Sequence, residues 1–146
     1  MILHLDYLLG TIFRNIIHII CNSYDIRFPE LYILLRKMGA NFLLIPSAFT
    51  SHTGKAHWHI LVRSRAIENQ CIVIAAAQTG SHNEKRSSFG HSMIVDAFGR
   101  ILCEIPQNVT NEIAFADIDI SQMNKIRMEM PVFEHRRDDV YKLVLQ

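Results

Sequence analysis

The run CIVIAAAQ, residues 71–78, is uncharged, continuously apolar up to its last residue, and too short for a helix that would bury itself on all sides. Such a run, followed by the polar segment TGSHNEKRSSFG (79–90), reads as a core strand. Two further runs, IIHIIC (16–21) and FLLIP (42–46), have the same character. Between them the period changes. Pro29 and Glu30 suit the first turn of a helix, because proline lacks only a donor that is orphaned there, and ELYILLRKM continues at helical spacing to a stop at Gly39. KAHWHILVRSRAIEN (55–69) places Trp58, Leu61, Val62 and Ala66 on one face. Downstream, 79–90 reads as a loop, HSMIVD and RILCEI as a hairpin around a DAFG turn, EIAFADIDI (112–120) as an alternating strand, and SQMNKIRMEM as a short helix before a basic tail opened by Pro131. The order β-α-β-α-β-β-β-α predicts a layered α/β domain without internal repeats.

The chain has 146 residues, 49% of them apolar and 20% charged, with a net charge of +1. That suits one globular domain, and its scattered Arg and Lys leave no electrostatic footprint for nucleic acid or an anionic membrane. Cys21, Cys71 and Cys103 are odd in number, widely spaced and without a CxxC pair, which predicts neither a disulfide framework nor a thiolate metal site, and fits a reducing compartment. The apolar opening MILHLDYLLGTIFRNIIHIICN (1–22) is broken by Asp6, Arg14, His4 and His18, and has neither a basic start nor a small-residue cleavage site, so it is expected to be neither a membrane span nor a secretory signal.

From YDIRFPE through PSAFTSHTGKAHWHILVRSRAIENQCIVIAAAQTGSHNEKRSSFGHSMIVDAFG to PVFEHRRDDVY, several separated motifs occur in one order. Over residues 23–141 the chain resembles the carbon-nitrogen hydrolase (nitrilase) superfamily and, within it, the deaminated glutathione amidases. HNEKRSSFGHS is the subfamily marker. Residues 1–22 lie outside the resemblance, and 142–146 form a tail. The resemblance implies an α-β-β-α sandwich, here without its first half, a small acidic amide as substrate, no cofactor, a homodimer for the complete protein, and a cytoplasmic location that a full-length form could share with the mitochondrion.

It also implies a Glu-Lys-Cys triad. In that chemistry Cys attacks an amide carbonyl, Glu serves as general base and then acid, and Lys with a backbone N–H stabilises the oxyanion until water cleaves the thioester. The family's Cys stands immediately before the YD pair, where this chain has Ser23; Tyr24 supplies the matching backbone N–H. Cys21 lies two residues earlier, about 6.6 Å along a strand. It is expected to be a packed core thiol rather than a substitute nucleophile. Glu and Lys precede the Cys in family order, yet residues 1–22 contain neither. The triad is therefore expected to be absent, leaving an inactive fragment or an oligomerisation module as the alternative to an amidase.

Other positions carry two readings each. Asp25 and Arg27 either brace the turn after Ser23, by hydrogen bonds and an ion pair, or touch substrate. Ser47, Ala48 and Phe49 match the loop that lines the family's pocket, or else pack as an ordinary strand end. Lys85 and Arg86, with His82 and Glu84, either pair with substrate carboxylates or form a solvated loop. Arg63, Arg65 and Glu68 make an exposed charged face or a dimer contact, and Glu134, His135, Arg136 and Arg137 suit intersubunit contacts. His52, His57 and His59 suggest no metal site, because an i, i+2 pair diverges on a helix and no carboxylate adjoins them. His59 departs from the family, where an acidic residue is usual.

Residues 1–22 lack Ala, Val, Glu, Lys, Gln and Pro and are rich in Ile and Leu, as translated AT-rich non-coding sequence would be. If a TGY cysteine codon is split after its second base, reading through an intron ending in AG yields AGY, a serine codon. Ser23 is then expected to be encoded by AGT or AGC, with a spliced transcript carrying Cys.

Overall fold

The computed structural model describes the backbone of residues 9–13 and 16–18 and the complete residues 19–144. The expectation that residues 1–22 form no membrane span therefore bears partly on residues 1–8 and 14–15, outside the described residues, as are 145–146 of the tail. No helix among the described residues is long and apolar enough to cross a membrane.

The three apolar runs form adjacent strands. β1 (Leu9–Phe13) and β2 (Ile16–Ile20) are antiparallel, and β2 then runs parallel to β3 (Ala40–Leu44), which runs parallel to β4 (Ile72–Ala75). After a separate hairpin of β5 (Thr79–Asn83) and β6 (Arg86–Phe89), β7 (Met93–Val95) and β8 (Ile101–Glu104) complete one sheet ordered β1-β2-β3-β4-β7-β8. The parallel crossovers are the two predicted helices. α1 (Pro29–Lys37) carries proline in its first turn and ends at Gly39, whose φ of 97° is the left-handed conformation glycine adopts without strain. The second begins earlier than predicted: a single turn, α2 (Ser51–Thr53), capped by the Thr50 side chain, passes through a π segment (Gly54–Trp58) into α3 (His59–Asn69).

Strand alternation divides the core. Leu43, Ile45, Val73, Ala75, Met93 and Val95 face α1 and α3, where Tyr32, Leu35, Trp58, Val62 and Ala66 complete a continuous cluster. Phe42, Ile72, Ile74 and Ile94 point the other way, toward Met123 and Ile126 of α4 (Ile120–Glu129). α4 starts at Asp119, whose carboxylate accepts from Ser121 and Gln122 N–H. These bonds, the Ser121 side chain foremost, hold the Asp119 carboxyl below its ordinary value.

Two expectations are corrected. Residues 79–90, read as a loop, form the antiparallel hairpin β5 (Thr79–Asn83) and β6 (Arg86–Phe89). Its polar sequence hid the pairing, because strands whose side chains are mostly exposed carry no apolar alternation, and the hairpin is tied to the body of the domain by bonds such as Phe89 N–H to the Phe49 carbonyl (2.9 Å). Residues 112–120, read as a strand, form no ladder, and Ile120 already belongs to α4. Their alternation survives without pairing: Ala114, Ala116 and Ile118 are half-buried, whereas Ile113 and Phe115 are exposed.

Candidate active site

Ser23 is carried past the carboxyl end of β2. The Cys21 N–H extends the ladder to the Leu44 carbonyl (2.9 Å), and a 3-10 turn, Ser23–Arg27, then reverses the chain toward α1. Its first internal bond runs from Asp25 N–H to the Asn22 carbonyl (3.0 Å), so the N–H groups of Ser23 and Tyr24 are the donors the turn leaves over. The Asp25 carboxylate accepts from Asn22 N–H (3.0 Å), which is the expected brace. Among the described residues neither Asp25 nor Arg27 makes the expected ion pair: the Arg27 guanidinium instead lies 5.0 Å from the Phe49 ring centroid and 5.6 Å from that of Tyr24, with His57 Nδ1 3.3 Å from its Nη1. A second brace comes from α3. Arg65, only 4% exposed, donates to the Ile26 carbonyl (2.9 Å) and pairs with Glu68 (2.7 Å). This corrects the exposed-face reading for Arg65, because a cation with these partners and Tyr32 beneath it belongs to the packed layer.

An open cleft of about 610 Å³ lies at the carboxyl ends of the parallel strands, where open α/β sheets present their ligand sites. It brings Ser23 together with Ser47 and Ala48, along with Asn22, Gln78 and Ser92. Ser47 is held in line by its N–H to the Ala76 carbonyl (2.8 Å) and its carbonyl to Gln78 N–H (2.9 Å), and its hydroxyl is buried without a hydrogen-bond partner among the described residues. Phe49, expected alongside them, instead packs in the core with its ring centroid 5.0 Å from that of Trp58. Lys85 and Arg86 are exposed at the far end of the β5–β6 hairpin and do not line the cleft.

Cys21 is 1% exposed, and burial pushes its thiol up to about 12, with a hydrogen bond to Tyr32 offsetting only part of this. A thiol in that state is an inert packing residue. Cys71 is likewise buried and pushed up to about 11, despite Arg127 beside it.

Histidines 57 and 59 diverge, as their spacing requires. His59, however, meets residues distant in sequence: its Nε2 lies 2.9 Å from Glu104 Oε1, and His91 Nδ1 hydrogen-bonds the same oxygen. This overturns the expectation that no carboxylate adjoins His59, and Glu104 and His91 carried no signal in the sequence that would have found them. Partial burial pushes the Glu104 carboxyl up, but hydrogen bonds from both imidazoles outweigh it and hold the group below its ordinary value.

A parallel three-strand centre, with α1 and α3 on one face, α4 on the other and a serine at the turn after β2, defines a layered α/β domain with a cleft at its strand ends, and similarity to known proteins gives its family. The carbon-nitrogen hydrolase family model matches residues 13–128, and the chain belongs to that family. It is 56% identical over 120 residues to the deaminated glutathione amidase of Dictyostelium discoideum, covering 82% of this chain and 41% of that protein. Against the human deaminated glutathione amidase it is 50% identical over 118 residues, covering 81% of this chain and 36% of the relative. The crystal structure of the Caenorhabditis elegans NitFhit protein superposes with a TM-score of 0.79 at 54% identity, covering 84% of this chain and 29% of that one. Saccharomyces cerevisiae Nit3 superposes at 0.80 with 33% identity, covering 88% and 47% respectively. The fold is thus that of the nitrilase superfamily, and the chain spans less than half the length of these relatives.

Proposed function

We propose that residues 23–141 form the C-terminal wall of a site that hydrolyses a small acidic amide, of the deaminated glutathione class, and that this chain does not turn over such a substrate by itself. One observation carries the reading: the cleft gathers Ser23 with Ser47, Ala48 and Gln78 at the carboxyl ends of the strands, while none of its described lining residues is ionisable. The N–H of Tyr24, left over by the turn after Ser23, suits a carbonyl oxygen, giving ground-state binding and part of an oxyanion hole. A serine hydroxyl needs a strong neighbouring base to attack an amide, and the described residues lining the cleft offer Ser23 none. Cys21, two residues away, is no substitute: it is sealed in the core with its thiol pushed up to about 12.

Ammonia release from a small acidic amide by the purified chain, compared with a heat-killed control, tests this. The expected result is no difference, for the chain as it stands and for Ser23→Cys, because a nucleophile alone supplies neither the base nor the oxyanion cation. Turnover above the control by the unmodified chain overturns the proposal. An assembly role is a second reading, supported by Ile113 and Phe115, which are 79% and 84% exposed beside the sheet face that α4 covers. Apolar side chains so placed suit a subunit or domain contact, and sedimentation of the chain across concentration reads it directly.

A further inference from the structure

We propose that His59, His91 and Glu104 form a binding site for a divalent transition-metal ion of the zinc type. The three residues come from three separate places: the first turn of α3, the bend entering β7 and the end of β8. Their ligand atoms nevertheless lie within 4.8 Å of one another. Two imidazole nitrogens converge on one carboxylate oxygen, a donor set that zinc takes in sites with an open position. An ion about 2.0–2.1 Å from each donor would hold them roughly 3.3 Å apart, so small side-chain rotations suffice to admit it. With neutral imidazoles the cluster carries the single negative charge of Glu104, which a dication complements.

The rings are held rather than loose. His91 has a φ of 62°, in the left-handed region that a non-glycine residue occupies only when its surroundings impose it. Its carbonyl accepts from the Trp58 indole N–H (2.7 Å), and its ring lies 4.3 Å from that of Phe89. The His59 ring meets the same phenylalanine edge-on at 6.1 Å, with the two imidazoles 5.1 Å apart. The carboxylate is lodged between them, and the three side chains remain 35%, 20% and 27% exposed, so an ion can enter and retain water as a further ligand. His91 also lines a cavity of about 300 Å³ that shares Ala77 and Ser92 with the candidate active cleft. A bound ion would cross-link α3 to β7 and β8 beside that cleft. The site does not depend on the amidase reading, and His59 stands where the family has an acidic residue, so it belongs to this chain rather than to the resemblance.

The full chain, stripped with EDTA and shown to be folded by circular dichroism, is titrated with Co2+ and then with Zn2+. One Co2+ per chain is expected, with the visible absorption of a four- or five-coordinate nitrogen–oxygen site that Zn2+ bleaches. His59→Gln keeps a hydrogen bond to Glu104, and His91→Asn tolerates the left-handed backbone; each is expected to weaken Co2+ binding more than about tenfold, at least the loss that follows removal of an outer-shell partner. His57→Gln, on the opposite side of the same helix, should leave it unchanged. Absence of stoichiometric Co2+ uptake by the folded wild-type chain overturns the proposal, as does uptake that His59→Gln and His91→Asn both leave intact. If one variant does not fold, the other and the wild-type titration decide.

Discussion

The two faces of the sheet are built from the same kind of residue and are finished differently. Toward α1 and α3, Leu43, Ile45, Val73, Val95, Trp58, Val62 and Tyr32 are all fully buried. Toward α4, Phe42 and Ile72 are buried, but Ile74 and Ile94 are only partly covered and Ile118 and Ile120 close the cluster from its margin. The first face is sealed by elements adjacent in the chain, since each parallel crossover has to pack on the sheet it connects. The second depends on one short helix and an unpaired extended segment. Stability should therefore reside mainly in the first face, and assembly mainly in the second.

The largest effect should come from the sealed face. Trp58→Ala removes a fully buried ring and also the donor to the His91 carbonyl, so a loss of about 3–5 kcal/mol is expected, enough to unfold a marginal domain. Urea denaturation reads it, and a loss below 1 kcal/mol, roughly the surface range, would break the comparison. Gly54→Ala probes the same layer by overpacking: an added Cβ would sit 2.2 Å from Phe89 Cγ, and a cost of about 1–3 kcal/mol is expected. Arg65→Met keeps much of the volume but leaves the Ile26 carbonyl beneath the elbow without its donor, for about 1–3 kcal/mol. Like-for-like truncation then separates the faces: Ile45→Val should fall near the top of the range of about 0.5–1.5 kcal/mol and Ile74→Val near the bottom. Equal values would mean the second face is sealed as well as the first.

The smallest effect concerns pH. The carboxyl of Glu104 is held below its ordinary value in the folded chain, so the unfolded chain binds its proton first as the solution is acidified. Its contribution to stability is present above the unfolded value and disappears as pH falls through the folded one. Comparing Glu104→Gln with wild type should therefore show a shallower acid limb and parallel curves at neutral pH. An unchanged acid limb would show that the imidazoles do not hold the carboxylate in solution.

Much of the scaffold was legible in the sequence. The runs at 16–21, 42–46 and 71–78 announced the central strands because a strand buried on both sides needs no alternation, and Pro29 with Gly39 bracketed α1 because backbone chemistry at helix ends is local. The family resemblance, rather than chain order, pointed to Ser23, Ser47 and Ala48, which the fold brings to one cleft. Of the two readings for Phe49, strand-end packing is the one the fold carries, because the strand end that exposes Ala48 turns the next side chain inward against Trp58. Lys85 and Arg86 are exposed on a hairpin that carries them away from the cleft, as the solvated-loop reading has them, because backbone pairing rather than any local signal sets where the hairpin lies.

What the sequence by itself determined is what depends on near neighbours: the strand and helix periods, the turn at DAFG, the serine before the YD pair, and the lack of Glu and Lys in residues 1–22. Tertiary structure decided which distant residues meet. It buried Arg65 under the elbow, shut Cys21 away from solvent with its thiol pushed up to about 12, and joined His59, His91 and Glu104 across 45 residues of chain. Contacts of that kind are fixed by how strands order themselves in a sheet and how helices settle on it, and no local propensity encodes them.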